Sequence, residues 1–165
     1  MNVFAIRHGE TSWSLSGQHT GTTDIPLTEN SRRLAERLRP TLAREALALV
    51  LCNPMQRARR TCALAGLGAA AVMDSDLVEW NYGAYEGLTP SGIHETVPGW
   101  LIFRDGCPGG EIPEQVGARV DRVIARASAG GAISRYLRAA ACREGLAARC
   151  IDLPPAPTRP QHSAA

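Results

Sequence analysis

The sequence predicts an α/β domain of three layers, α/β/α, with a mostly parallel sheet. Three observations carry this. Short apolar runs occur at Val3 to Ile6, Ala46 to Leu51 and Ala70 to Met73, each of strand length. Segments with apolar residues at helical spacing stand between and after them, the alternation that builds a parallel sheet covered by helices. The first run stops abruptly at the polar cluster Arg7-His8-Gly9-Glu10-Thr11. Open parallel sheets carry their functional loops at such strand ends.

Taken in order, Val3 to Ile6 reads as a buried parallel strand. Ser12 to Pro26 is rich in Ser, Thr and Gly and reads as loop. Thr28 offers an N-cap to a helix with Leu34, Leu38 and Leu42 at helical spacing, which Pro40 should end or kink. After the second strand, Asn53-Pro54 starts a helix from Met55 to about Leu64, with Pro54 suited to its first turn. Leu77 to Gly87 is loop-like, Pro90 to Thr96 a short helix, and Gly106 to Gly110 a turn. Pro113 to Ala127 places Val116, Val120, Val123 and Ala127 on one helix face. Residues 154–165 contain four prolines and little to bury, so they read as a disordered tail behind a single domain over 1–153.

Composition narrows the function classes. At 165 residues, 44% hydrophobic and 21% charged, the chain fits one soluble domain. No apolar stretch reaches membrane-spanning length, and Arg7-His8 interrupts the first run too early for a secretory signal, so no membrane partner is expected. Five scattered cysteines without a C-x-x-C pair suggest reduced thiols and a cytoplasmic location. All 18 basic residues are arginine, which excludes a Walker-A or Schiff-base lysine. The arginines are interspersed with acids, as in Arg32-Arg33 near Glu36 and Arg119 near Asp121. They read as a mixed solvated surface rather than a nucleic-acid patch. No G-x-G-x-x-G follows the first strand, which removes a dinucleotide-binding reading. His19 and His94 have no partners at metal-ligand spacing and read as surface or loop residues, so no metal and no cofactor is expected.

The Arg7-His8-Gly9-Glu10-Thr11 run has a chemistry of its own. An imidazole attacks phosphorus when one ring nitrogen is unprotonated and held in line. Arg7 can neutralise and orient phosphoryl oxygens, and Gly9 lets backbone amides approach an anion. A small phosphorylated molecule is the substrate class this suits.

With the rest of the chain, this run resembles the histidine phosphatase superfamily, the phosphoglycerate-mutase-like proteins. Gly17 to Asp24 with Pro26-Leu27-Thr28 resembles the loop after that family's R-H-G motif, which makes Ser14, Thr20 and Gly21 candidate substrate contacts. Cys52 to Thr61 resembles the S-P-x-x-R-A-x-x-T element, with Arg57 as the phosphate-binding arginine. Leu77 to Gly87 resembles L-x-E-x-x-x-G-x-x-E-G, with Glu79 as proton donor and Glu86 in a structural role. The resemblance runs from Asn2 to about Ala127 and implies a phosphohistidine mechanism: His8 as nucleophile, Arg7, Arg57 and Gly9 on the phosphate, Glu79 as acid. Only a short segment, about Leu88 to Glu114, can act as a lid. The mutase relatives use a longer insertion to keep water out, so hydrolysis is expected over phosphoryl transfer between substrates. The Gly17 to Gly21 loop resembles members acting on small sugar phosphates. The sequence does not set the oligomeric state.

One departure matters. The family pocket has a second histidine, in an H-G context after a late strand. No H-G occurs after Ala127, and the later histidine, His162, stands in the Pro-rich tail. Residues 128–145 are atypical, Ile133 to Cys142 reads as helical, and the C-terminal part of the sheet is expected to be incomplete. A local change of reading frame would account for this. The alternatives to an active hydrolase are therefore a non-catalytic remnant that binds phospholigands and a mutase-type transferase.

Overall fold

The computed structural model describes residues 4–129. The expected helical segment at 133–142, the incomplete end of the sheet, the domain limit at 153 and the tail from 154 lie outside the described residues.

Two strands form a parallel pair, β1 (Val50–Cys52) and β2 (Ala71–Met73), in the register Val50↔Ala71, Leu51↔Val72, Cys52↔Met73. Both were expected, β1 at the end of its apolar run rather than throughout. All three β1 residues are buried, whereas Val72 and Met73 of β2 are exposed. The first apolar run differs more. Phe4 forms a single bridge residue, Ala5 and Ile6 lie outside any strand, and Val3 is outside the described residues. A strand needs consecutive pairing with a neighbour, and β1 and β2 hold the ladder that the described residues contain. Ile6 still buries its side chain against Val50, Cys52, Ala58 and Cys62.

The expected loop after Thr11 begins with a helical turn, α1 (Ser12–Ser16). Its cause is a reciprocal cap. The Thr11 side chain accepts from the Ser14 amide at 3.2 Å, and Ser14 Oγ accepts from the Thr11 amide at 2.8 Å. Gly17, at φ 77°, closes it. From Gln18 to Pro26 no helix or strand forms, as expected.

Thr28 caps α2 (Glu29–Glu36) through the Ser31 amide, as expected. The helix stops four residues before Pro40, whose ring has no N–H to continue the ladder, and Pro40 instead opens a short α3 (Arg39–Leu42). The buried face is displaced from the leucine spacing. Leu34 is exposed, and Ser31 and Ala35 are buried where α2 packs on α4 (Gln56–Leu64). Small residues let the two helices approach closely.

α4 starts two residues after Pro54, which therefore precedes the first turn. Its opening amides are met by Asn53 Oδ1 on Met55 and by Asp24 Oδ1 on Gln56, both at 2.8 Å. Short 3-10 turns at Ser75–Leu77 and Gly83–Tyr85 punctuate the Gly-rich loop. α5 (Pro90–Thr96) forms as expected, and a further turn, α6 (Ile102–Asp105), interrupts the lid segment. α7 (Pro113–Ala129) buries Val116, Val120 and Ala127 on one face, with Val123 packed beside them. A cluster of Trp80, Tyr82, Ile93, Trp100, Cys107, Val116 and Val120 ties α5 and α7 to the loop that carries Glu79.

Candidate active site

His8 follows the first apolar run and is partly buried. Its Nδ1 lies 2.6 Å from the Gly9 carbonyl oxygen. A carbonyl can only accept, so Nδ1 carries the proton and Nε2 keeps its lone pair. The pKa of His8 is lowered to about 4, chiefly by burial and further by the charges of Arg57 and Arg7, against the opposing pull of the Gly9 hydrogen bond. At neutral pH the ring is uncharged with Nε2 available, the state a phosphorus nucleophile needs.

The Arg7 to Thr11 loop is held from the 27–31 segment. The Thr28 amide donates to Glu10 O at 3.1 Å, its hydroxyl donates to Glu10 Oε1 at 3.0 Å, and Thr11 bridges Leu27. Gly9 lies so close to α2 that a Cβ there would sit 2.6 Å from Ser31 Cβ and Oγ. Close approach to a helix requires glycine at this position.

Arg57 is the hub. It projects from the first turn of α4 and is fully buried. Nη1 donates to Thr23 O at 2.9 Å, and Nη2 donates to Gly21 O at 2.8 Å and Thr20 O at 3.4 Å. Nε has no hydrogen-bond partner among the described residues. Burial lowers the Arg57 pKa from its ordinary value, while Asp24, Glu79 and Glu86 raise it, which places those carboxylates within its field. The charge of Arg57 thus acts on His8 as well as interacting with both glutamates.

Glu86 holds the other side of the loop. Its Oε1 accepts from Gly21 N at 2.8 Å and Thr23 N at 2.9 Å. So Glu86 takes the amides and Arg57 the carbonyls of Gly21 and Thr23, and Arg57 also reaches the Thr20 carbonyl. Gly21 is pressed against the loop that carries Glu79, since a Cβ there would collide with the Trp80 carbonyl oxygen. Glu79 is partly buried, and its Oε1 accepts from the Trp80 amide at 2.9 Å. Arg7 is exposed. Thr20 is partly buried, with Oγ1 turned to Gln18 O at 3.3 Å, and exposed Ser14 spends its hydroxyl on the α1 cap. Among the described residues no group of three or more His, Cys, Asp or Glu is placed to hold a metal ion.

The histidine phosphatase superfamily (branch 1) model matches residues 3–147. The chain belongs to this family. It is 44% identical over 127 residues to an acid phosphatase of Mycobacterium tuberculosis, covering 76% of this chain and 62% of that one. It is 36% identical over 145 residues to a sedoheptulose 1,7-bisphosphatase of Saccharomyces cerevisiae, covering 73% and 53%. The chain thus spans just over half of each relative's length. The solved structure of a Mycobacterium tuberculosis open reading frame product superposes with a TM-score of 0.75 at 39% identity, over 82% of this chain and 71% of that one.

In this member of the histidine phosphatase superfamily the structure corrects one reading, that of Arg119. Arg119 is no solvated surface residue. It is 7% exposed and forms a forked pair with Glu111, Nε to Oε1 at 2.8 Å and Nη2 to Oε2 at 3.1 Å. Its place two residues from Asp121 suggested a local surface pair, whereas its partner is eight residues back. His19 lies in a loop, one of the two places expected for it, and is partly buried there. It stacks on Tyr82 at a centroid distance of 4.3 Å and packs edge-on to Trp100, and burial lowers its pKa. His94 sits nearby, with Nε2 3.0 Å from Trp100 O. Nothing local in the sequence marks Asp24 or Glu111 as an organising residue, because their partners lie far along the chain.

Proposed function

We propose that this chain is a phosphomonoester hydrolase that cleaves small phosphorylated metabolites, sugar phosphates among them, through a phosphohistidine on His8. The observation that supports it most is the state of His8: neutral, with Nδ1 tied to Gly9 and Nε2 unprotonated, beside a buried arginine. In the first step Nε2 bonds to phosphorus and the ester P–O bond breaks. Arg7 and Arg57 offset the charge on the transferring phosphoryl, and the Glu79 carboxyl gives its proton to the leaving alkoxide. In the second step water attacks phosphorus and the P–N bond breaks. The Glu79 carboxylate takes the water's proton, and inorganic phosphate leaves. The names of the mycobacterial acid phosphatase and the yeast sugar bisphosphatase agree with this substrate class.

A second reading has its own observation. No His-Gly pair follows Ala127 in this sequence, where the family resemblance implies a second pocket histidine. On that reading the chain binds phosphorylated ligands without turning them over. One experiment separates the two: incubate purified protein with 4-nitrophenyl phosphate and with sugar phosphates, and follow both phosphate release and acid-labile label on the protein. Turnover and label that vanish in His8→Ala support the hydrolase. Binding without turnover or label supports the remnant, and label surviving His8→Ala removes His8 as nucleophile.

A further inference from the structure

The loop that carries Glu79 is clamped on both sides by one ion pair, between buried Arg119 and partly buried Glu111. Arg119 Nη1 donates to Asp76 O at 3.0 Å and to Val78 O at 2.6 Å, while Nε and Nη2 chelate Glu111. Glu111 takes the other flank. Its Oε2 accepts from Asn81 N at 2.8 Å, its amide donates to Asn81 O at 2.9 Å, and its carbonyl accepts the Trp80 indole N–H at 2.9 Å. The bonds therefore fall on Val78, Trp80 and Asn81, the residue before Glu79 and the two after it. The Glu79 side chain is in turn held by the Trp80 amide.

Resting on the assignment of Glu79 as the acid, we propose that Glu111 and Arg119 are positioning residues that fix the Glu79 carboxyl against the leaving group. Neither touches the reacting atoms. The chemistry suits the task. A guanidinium fork meets a carboxylate with two parallel bonds and still has an N–H edge for backbone carbonyls, which a lysine ammonium lacks. Arg119 is buried and Glu111 partly buried, and the forked geometry with its backbone bonds restrains both side chains. Proton donation depends on distance: a displacement of about 1 Å at a reacting group costs up to about 10²-fold in rate. A pair serving only to hold the fold together would make the same bonds, so the test must read the acid and not merely stability.

The test compares Arg119→Lys, Glu111→Gln and Glu79→Gln with the parent chain. Each is assayed on 4-nitrophenyl phosphate, whose leaving group needs no proton, and on an alkyl phosphate, whose leaving group does. Arg119→Lys and Glu111→Gln should lower kcat on the alkyl ester about 10- to 10²-fold, with a much smaller change on the aryl ester and KM little altered. Equal losses on both esters, or losses confined to KM, overturn the positioning role. If Glu79→Gln is selective for the alkyl ester and the other two variants are not, the clamp alone is refuted. If Glu79→Gln is itself unselective, the acid assignment falls, and this inference with it. A second measurement needs no turnover. Amide hydrogen exchange in Arg119→Lys should quicken over residues 76–82 and stay unchanged over 50–64. Exchange unchanged in both segments, or quickened equally in both, overturns the proposal.

Discussion

His8 donates its Nδ1 proton to the carbonyl oxygen of Gly9, its chain neighbour, across 2.6 Å. The tautomer of His8 is thus set by a glycine whose place leaves no room for a Cβ beside Ser31. Burial, Arg57 and Arg7 together hold the ring's pKa at about 4 against its ordinary 6.5. The acid limb of kcat/KM should therefore fall only near pH 4, and a limb near 6.5 would show that His8 is not held in this state.

The same lowering has a consequence for stability. Between pH 6.5 and 4 the unfolded chain binds a proton at His8 that the folded chain refuses. This contribution is fully present above pH 6.5 and is lost as pH falls toward 4. Asp76, held at about 2 by Arg122 and Arg126, adds stability that persists lower, declining only below 3.8. Thermal melts from pH 8 to 4 should show a falling Tm in the parent chain and a shallower fall in His8→Gln. Parallel slopes would contradict the His8 assignment.

Glu79→Gln should slow hydrolysis of alkyl and sugar phosphates by about 10²- to 10⁴-fold, and of aryl phosphates far less. A glutamine can still accept the Trp80 amide, so the loop keeps its bond while the proton is gone. The check is kcat against leaving-group pKa. The slope should steepen in the variant, and an unchanged slope would make Glu79 structural.

Gly21→Ala should act on the acid from the opposite side. The added methyl would meet the Trp80 carbonyl, so one of two loops must move, at a cost of about 1–3 kcal/mol. Glu86→Ala removes the acceptor of the Gly21 and Thr23 amides and should cost a similar amount, since bonds to a charged group contribute about 1.5–3 kcal/mol. Chemical denaturation measures both. Because the two changes strike the same loop, the double variant should lose less than the sum of the singles, and strict additivity would show that the contacts are independent.

The legible parts of the fold were those fixed locally. Thr28 as a cap, Pro40 as a break, α5 and the buried face of α7 depend on neighbours within a turn or two, and the sequence shows them. α1 was hidden because its cap is a side-chain exchange between Thr11 and Ser14 within a stretch that otherwise reads as loop. The organising contacts were hidden for a different reason. Arg57 with Thr20 to Thr23, Glu86 with Gly21, and Arg119 with Val78 join residues 34 or more apart. Nothing in the spacing of an arginine tells whether it ends in water or on a distant carbonyl. The loop of Arg7 to Thr11 is legible because one short run holds His8 and its tautomer-setting neighbour Gly9 together.

Turnover by this chain should fall well below that of a family member carrying both pocket histidines. No His-Gly pair follows Ala127, and the lost imidazole would have met a phosphoryl oxygen whose charge grows in the transition state. Removing one preorganised donor of that kind costs about 10²- to 10³-fold in rate. Binding of phosphate should suffer less if Arg57, Arg7 and the Gly9 loop hold the anion as proposed, since their charge and amides act whether or not it reacts. The decisive comparison sets phosphate binding and aryl phosphate turnover side by side for this chain and such a relative. A binding ratio near one with a turnover ratio of about 10² or more fits a pocket that lost a transition-state contact. Equal turnover would show that another donor occupies the second histidine's place.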